Sequence, residues 1–208
     1  MKYRLVMFDF DGTLADSFPW FVSVVNTVAD TYKFRRIEAS EIETLRGYSA
    51  RQIVQHLSVP WWKLPLIGRH MRGLTAENIG QVNLFEGVDA MLQQLSEAGV
   101  TLALVTSNSC ENARRVLGLT NAARITYYEC DVSMFGKQGP FRRILKQSGV
   151  LPHQALCVGD ELRDMEAARQ AGIPFGAVTW GFTQIEALRA HAPAEVFAQM
   201  DDIVACVV

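Results

Sequence analysis

Asp9 and Asp11 stand two residues apart where the apolar run Leu5 to Phe8 stops, and Gly12-Thr13 follows. Two carboxylates this close repel each other in a low-dielectric site. A cation normally holds such a pair, and hard oxygen ligands suit Mg²⁺. The same pattern would also arise from a strand followed by a polar turn. Two further apolar runs end in polar signatures: Val100 to Val105 stops at Thr106-Ser107-Asn108, and Ala155 to Val158 stops at Gly159-Asp160, with Glu161 and Asp164 just beyond. Between them lies Phe135-Gly136-Lys137, on a loop before a helix. If these runs are neighbouring strands, carboxylates, a hydroxyl with adjacent amides, and an ammonium converge. The carboxylates can hold a metal, and the other groups can hold an oxyanion. A phosphoryl group is the species that needs both.

The elements that would position these residues alternate. Residues 4–9 read as a strand whose unbroken apolar character suits burial on both faces of a parallel sheet. Residues 18–34 switch to helical spacing, with Phe18, Phe21, Val22, Val25, Val28, Ala29 and Tyr32 on one stripe. Ser40-Glu41-Ile42-Glu43 has the form of a capping box, and Ser49 can cap a further helix. Pro60 can start another running toward Ile79, with Pro65 or Gly68 as candidate breaks. No strand is expected between about 16 and 81. From residue 82 onward helices and strands alternate: a helix over 87–98, a strand over 100–105, a helix over 110–117, and a short β-prone run over 125–128. After these come a helix opened by Pro140, strands at 155–158 and 175–179, and an edge strand at 195–197. Alternation predicts an α/β fold, a Rossmann-like parallel sheet with right-handed crossovers, interrupted by a helical block. The expected division is a core of 1–15 and 82–208 with a helical cap of 16–81. In such sheets ligands bind beyond the carboxyl ends of the strands, at a switch point.

Composition excludes several partners. The net charge is −2, and the 20 basic residues are scattered among 22 acidic ones, so no nucleic-acid face is expected. No run approaches a membrane span, and the N-terminal apolar run is too short for a signal peptide. Cys110, Cys130, Cys157 and Cys206 form no CxxC and no metal spacing with the four histidines. Reduced thiols in the cytoplasm are the expectation.

Four motifs in order, Asp9-Phe10-Asp11-Gly12-Thr13, Thr106-Ser107-Asn108, Lys137 and Gly159-Asp160-Glu161-Leu162-Arg163-Asp164, resemble those of the haloacid dehalogenase superfamily of phosphohydrolases. The resemblance spans essentially the whole chain and includes a cap-sized insert after the first motif. The stretch Ala167 to Gly172 and the later Trp180-Gly181 are similar to phosphoglycolate phosphatase-like members. The resemblance implies a Mg²⁺-dependent phosphatase acting on a small phosphorylated metabolite. Asp9 would be the nucleophile and Asp11 the acid and base, with Ser107, Asn108 and Lys137 binding phosphate. The metal would be held by Asp9, the Asp11 backbone carbonyl and Asp160, with Asp164 at one remove. A sugar phosphomutase shares these motifs, and a non-catalytic binding protein could keep the fold. One departure stands out: the family often has a proline directly after the lysine, whereas this chain has Lys137-Gln138-Gly139-Pro140.

Without the resemblance each residue has a plainer role. Lys137 could be an exposed loop lysine, Ser107 could cap the helix starting near residue 110, and Asp164 could offset a helix dipole. Lys146 is a second candidate for the ammonium but sits inside a predicted helix. In the insert, Arg46-Gly47-Tyr48-Ser49 resembles a specificity loop, and Arg46 or Arg51 could meet an anionic substrate tail. A monomer or homodimer is expected.

Overall fold

The computed structural model describes every residue of the chain except Phe135, so the Phe135-Gly136-Lys137 loop is described from its last two residues. Six strands form one sheet in the order β5-β4-β1-β6-β7-β8. They are β1 (Leu5–Phe8), β4 (Thr101–Val105), β5 (Tyr127–Glu129), β6 (Ala155–Gly159), β7 (Phe175–Val178) and β8 (Glu195–Phe197). Every pairing in this sheet is parallel, and β1 sits between β4 and β6 in register, with Phe8 opposite Leu104 and Val158. The order reverses at β1, because the chain builds outward to β5 on one side and then crosses to β6 on the other. The ends of β1, β4 and β6 therefore lie side by side, as the sequence requires for its polar signatures to converge.

The period-two alternation of each strand divides the core between the two faces of the sheet. Val6, Phe8, Leu102, Leu104, Leu156 and Val158 pack on one side with α5 (Val88–Glu97), α6 (Cys110–Arg124) and α10 (Met200–Val207). Leu5, Met7, Ala103, Val105, Ala155 and Cys157 pack on the other with α7 (Gln138–Ser148), α8 (Leu162–Ala171) and α9 (Ile185–Arg189). Asp9 thus leaves a strand whose four residues are all fully buried.

The insert carries α1 (Phe18–Tyr32), α2 (Ile42–Leu45), α3 (Ala50–His56) and α4 (Leu64–Glu77). Four local expectations differ from what forms. Ser40 caps nothing: a 3-10 turn over Ala39–Glu41 begins one residue earlier, and Glu43, the acid of the expected box, instead engages Arg46 and the Gln184 side chain. Ser49 does cap α3, with the reciprocal Gln52 contacts of a capping box. Pro60 opens only a 3-10 turn, and α4 runs unbroken through Pro65 and Gly68, because Pro65 falls in its first turn where no hydrogen bond is lost. The expected absence of strand from residue 16 onward fails at one position: β2 (Ala15–Asp16) pairs antiparallel with β3 (Asn83–Leu84), joining the two ends of the insert. Trp61 and Trp62 are both exposed, at 75% and 62%.

The cysteines also differ from expectation. Cys110 and Cys130 are joined in a disulfide, with Cα atoms 5.3 Å apart, and only Cys157 and Cys206 are free. Parallel pairing of β4 with β5 brings the segments after the two strands together, a proximity that a sequence separation of 20 does not reveal. Among the described residues no helix is long and apolar enough to cross a membrane.

Candidate active site

At the sheet edge three carboxylates meet. One oxygen from each of Asp9, Asp160 and Asp164 lies within 4.8 Å of the others, and all three residues are buried. Asp9 follows β1 directly and accepts the Phe10 amide at 2.7 Å. Asp160 follows β6; its Oδ1 accepts the Thr13 hydroxyl at 2.8 Å and its Oδ2 the Phe182 amide at 2.7 Å. Asp164 stands in the first turn of α8, one turn beyond Asp160. The resemblance implies a place at one remove from the metal; one Asp164 oxygen lies within 4.8 Å of an oxygen of each of the other two.

Lys137 closes the cluster. Its side chain is 2% exposed, with Nζ 2.7 Å from Asp9 Oδ1 and 2.8 Å from Asp164 Oδ1. The loop that carries it lacks the family's first proline, so these two ion pairs and burial hold it in place. Lys146 stays in the last turn of α7. The Lys137 contacts are close in distance but poorly directed, and among the described residues Nζ and both Asp164 oxygens have no hydrogen-bond partner. Buried polar atoms are rarely left this way.

The charges explain the titration behaviour. Burial works to raise the Asp9 carboxyl, but the Lys137 ammonium, a hydrogen bond with Asp164 in its protonated form and the Arg163 charge together outweigh it and hold the group below its ordinary value. Burial, then the Glu161 and Asp9 charges, pushes Asp160 up to about 8. Burial and Asp9 push Asp164 well up as well. Burial disfavours the Lys137 ammonium, yet Asp164 and Asp9 overcome this and raise it. With Asp160 and Asp164 held toward the protonated form, all three acids can be ionised together only if a further cation offsets their charge, as a divalent metal would. The all-carboxylate donor set and the orphaned Asp164 oxygens fit a hard cation such as Mg²⁺.

Asp11 lies outside this group. Its half-buried carboxylate accepts the Asn108 side-chain amide at 3.2 Å. Burial, together with the Asp9 charge, raises it to about 6. Asn108 is itself fixed: its backbone amide donates to Thr106 Oγ1, and its side-chain oxygen accepts from Ser109 and Asn112. Ser109, not Ser107, caps α6, which leaves the Ser107 hydroxyl out of that structural role. Arg51 is exposed on α3. Arg46 reaches the core, where its guanidinium donates to the Phe182 and Gly181 carbonyls at 3.0 Å each.

Several positioning groups escape a reading of motifs. The Thr13 hydroxyl and the Phe182 amide orient Asp160, and the Trp180 indole donates to the Thr13 carbonyl at 3.1 Å. Gly12 has φ +78°, and a Cβ there would come within 2.6 Å of the Phe182 ring and collide with the Asp160 carboxylate. Gly181 approaches as closely: its Cβ would lie 2.6 Å from Asp160 Cγ. The signal in the sequence was a glycine between two aromatic residues, Trp180-Gly181-Phe182, just beyond a buried strand.

Comparison with known proteins gives the following. The sequence matches the model of the haloacid dehalogenase-like hydrolases over residues 6–178. A phosphoglycolate phosphatase from Synechococcus elongatus is 32% identical over 208 residues, covering 98% of this chain and 97% of the relative. The N-acetylmuramic acid 6-phosphate phosphatase of Pseudomonas aeruginosa is 25% identical, covering 94% and 90%. Among solved structures, a Lactobacillus plantarum protein has a TM-score of 0.82 at 25% identity, with 99% of both chains covered. A haloacid dehalogenase-like family hydrolase from Streptococcus pneumoniae has a TM-score of 0.79 at 22% identity, covering 100% and 99%, a likeness of fold.

Proposed function

Because the chain belongs to the haloacid dehalogenase-like hydrolases, we propose that it is a Mg²⁺-dependent phosphatase of a small phosphomonoester, phosphoglycolate or a close analogue. The observation that carries this reading is the division of labour between the two acids of the first motif. Asp9 is buried against Lys137 and kept ionised, while Asp11 is held apart on Asn108 with a carboxyl near 6. A nucleophile must be ionised, and a proton carrier must change state near neutral pH.

The reaction follows from these positions. An Asp9 carboxylate oxygen attacks phosphorus, forming an aspartyl-phosphate as the bond to the leaving oxygen breaks. Asp11 gives its proton to that departing alkoxide. A water then attacks the phosphorus of the aspartyl-phosphate, Asp11 takes back a proton from it, and inorganic phosphate and a free Asp9 carboxylate result. Lys137 offsets the repulsion between Asp9 and the phosphoryl oxygens, and the Ser107 hydroxyl with the Asn108 amide binds those oxygens. Asp9, Asp160 and Asp164, with the Asp11 backbone carbonyl, would hold Mg²⁺, which supplies charge neutralisation for the transferring group. Residues 16–81 act as the cap that covers the substrate and excludes water. The protein works as a monomer or homodimer, and the Cys110–Cys130 bond removes the ground on which reduced thiols in the cytoplasm were expected.

The test measures phosphate release from a panel of phosphorylated small molecules with and without Mg²⁺, for the native protein and for Asp9→Asn. Release that needs both Mg²⁺ and Asp9, greatest for short phosphorylated acids, supports the reading. Turnover of a sugar phosphate without release of phosphate would replace it with a phosphotransferase. Equal activity in the Asp9→Asn variant would end it.

A further inference from the structure

Arg46 comes from the insert, in the turn between α2 and α3, yet its guanidinium is spent on the core. Nε donates to the Phe182 carbonyl and Nη2 to the Gly181 carbonyl, both at 3.0 Å, and Nη1 faces Glu43 at 3.1 Å. All three nitrogens are engaged, and Cζ lies 5.1 Å from the Phe18 ring centroid. In this arrangement the guanidinium is committed mainly to the core, with its side chain 26% exposed.

What it grips is informative. The Gly181 carbonyl and the Phe182 amide are the two ends of a single peptide unit, which is planar and rigid. Arg46 holds the oxygen end, and Asp160 Oδ2 holds the N–H end at 2.7 Å. A cation on the carbonyl polarises the unit and strengthens the N–H as a donor. Residues 179–183 belong to no strand or helix, so no ladder fixes this peptide. Its other anchors again come from the insert: the Phe182 ring packs against Phe18 and Phe21, and the Gln184 amide donates to the Arg46 carbonyl at 2.9 Å. Gly181 and Gly12 lack side chains where this peptide must come against Asp160.

We propose that Arg46 is a positioning residue: by gripping the Gly181–Phe182 peptide it holds the Phe182 amide on Asp160, so that the orientation of this carboxylate depends on the insert being docked. This rests on the metal reading given above. A docked insert would then set Asp160 for Mg²⁺, and an undocked one would release it, with no contact between Arg46 and the metal. Lysine is a poor substitute, because one ammonium cannot span two carbonyls as the planar fork does.

The experiment compares native protein, Arg46→Lys and Arg46→Ala by hydrogen exchange without metal, and then by Mg²⁺ titration followed through tryptophan fluorescence. In both variants the Phe182 amide is expected to exchange about tenfold faster while the β1 and β6 amides keep their protection. The half-saturating Mg²⁺ concentration is expected to rise about 3- to 10-fold. Unchanged exchange at Phe182 overturns the proposal, as does acceleration spread evenly through the core. An unchanged Mg²⁺ titration with a raised KM, rescued by lysine, also overturns it and makes Arg46 a substrate contact. If the native protein gives no saturable Mg²⁺ response, the metal reading fails, and the exchange result alone decides the latch.

Discussion

Removing the metal should make this protein lose stability as pH rises, and the effect can be sized from Asp160. Its folded-state carboxyl is pushed up to about 8, whereas an aspartate in an unfolded chain titrates near 3.9. Between those values the unfolded chain has released a proton that the folded, metal-free protein retains. Stability is therefore full below about pH 4 as far as this group is concerned, and it declines as pH climbs toward 8. The slope is about 1.4 kcal/mol per pH unit per proton, so this one group accounts for at most about 6 kcal/mol across the window. Asp164 acts in the same direction. Asp9, lowered by Lys137, acts oppositely, but its contribution is lost only below the ordinary aspartate value, outside the window. A total stability of roughly 5–15 kcal/mol makes a change of this size easy to measure. Urea unfolding in chelator at about pH 5 and about pH 8 should show a marked fall, and saturating Mg²⁺ should restore more stability at the higher pH, where binding displaces fewer protons. Asp160→Asn should flatten the metal-free profile. A metal-free protein equally stable at both pH values, or stabilised equally by Mg²⁺ at both, would refute the view that this cluster is a site strained by its own charge.

Three further outcomes are expected. Asp11→Asn should lower kcat by about 10²–10⁴ while leaving Mg²⁺ affinity near native, because the lost group carries protons and its carboxylate sits apart from the acid cluster; a loss of metal affinity equal to that of Asp160→Asn would contradict this. With Asp11 near 6, kcat/KM for a substrate with a poor leaving group should decline above about pH 6 as the proton donor is lost, and a rise in that range would remove Asp11 from the role. Replacing Cys110 and Cys130 by serine should cost about 3 kcal/mol from the entropy of a 20-residue loop, read as a lower urea midpoint with an m-value no smaller than native, because the unfolded chain loses its cross-link.

The parallel core and the acids at its strand ends were legible because each rests on a strong local signal. A strand buried on both faces must be apolar throughout, so a carboxylate that ends the run marks the sheet edge, as Asp9 and Asp160 do. What was not legible depends on partners far along the chain. Two-residue strands such as Ala15–Asp16 carry no periodicity of their own and exist because Asn83–Leu84 lies opposite. The Ser40 box did not form because its acid, Glu43, is taken by Arg46 and by the Gln184 side chain, which lies 141 residues further on. The Cys110–Cys130 bond required knowing that β4 and β5 are neighbours.

Lys137 illustrates how the two kinds of information combine. Sequence favoured an exposed loop lysine, and the missing proline after it argued for a loose loop. The cluster supplies what the loop lacks: Asp9 and Asp164 each lie within 2.8 Å of its ammonium, and burial makes leaving them expensive. The lysine is thus placed by the charges it serves. The same holds for Asp160, whose orientation comes from Thr13 in the first motif and from Phe182 in a segment gripped by the insert. Motif residues read singly identify the chemistry, but the geometry that makes it work is shared between the strand that opens the chain and the insert that follows it.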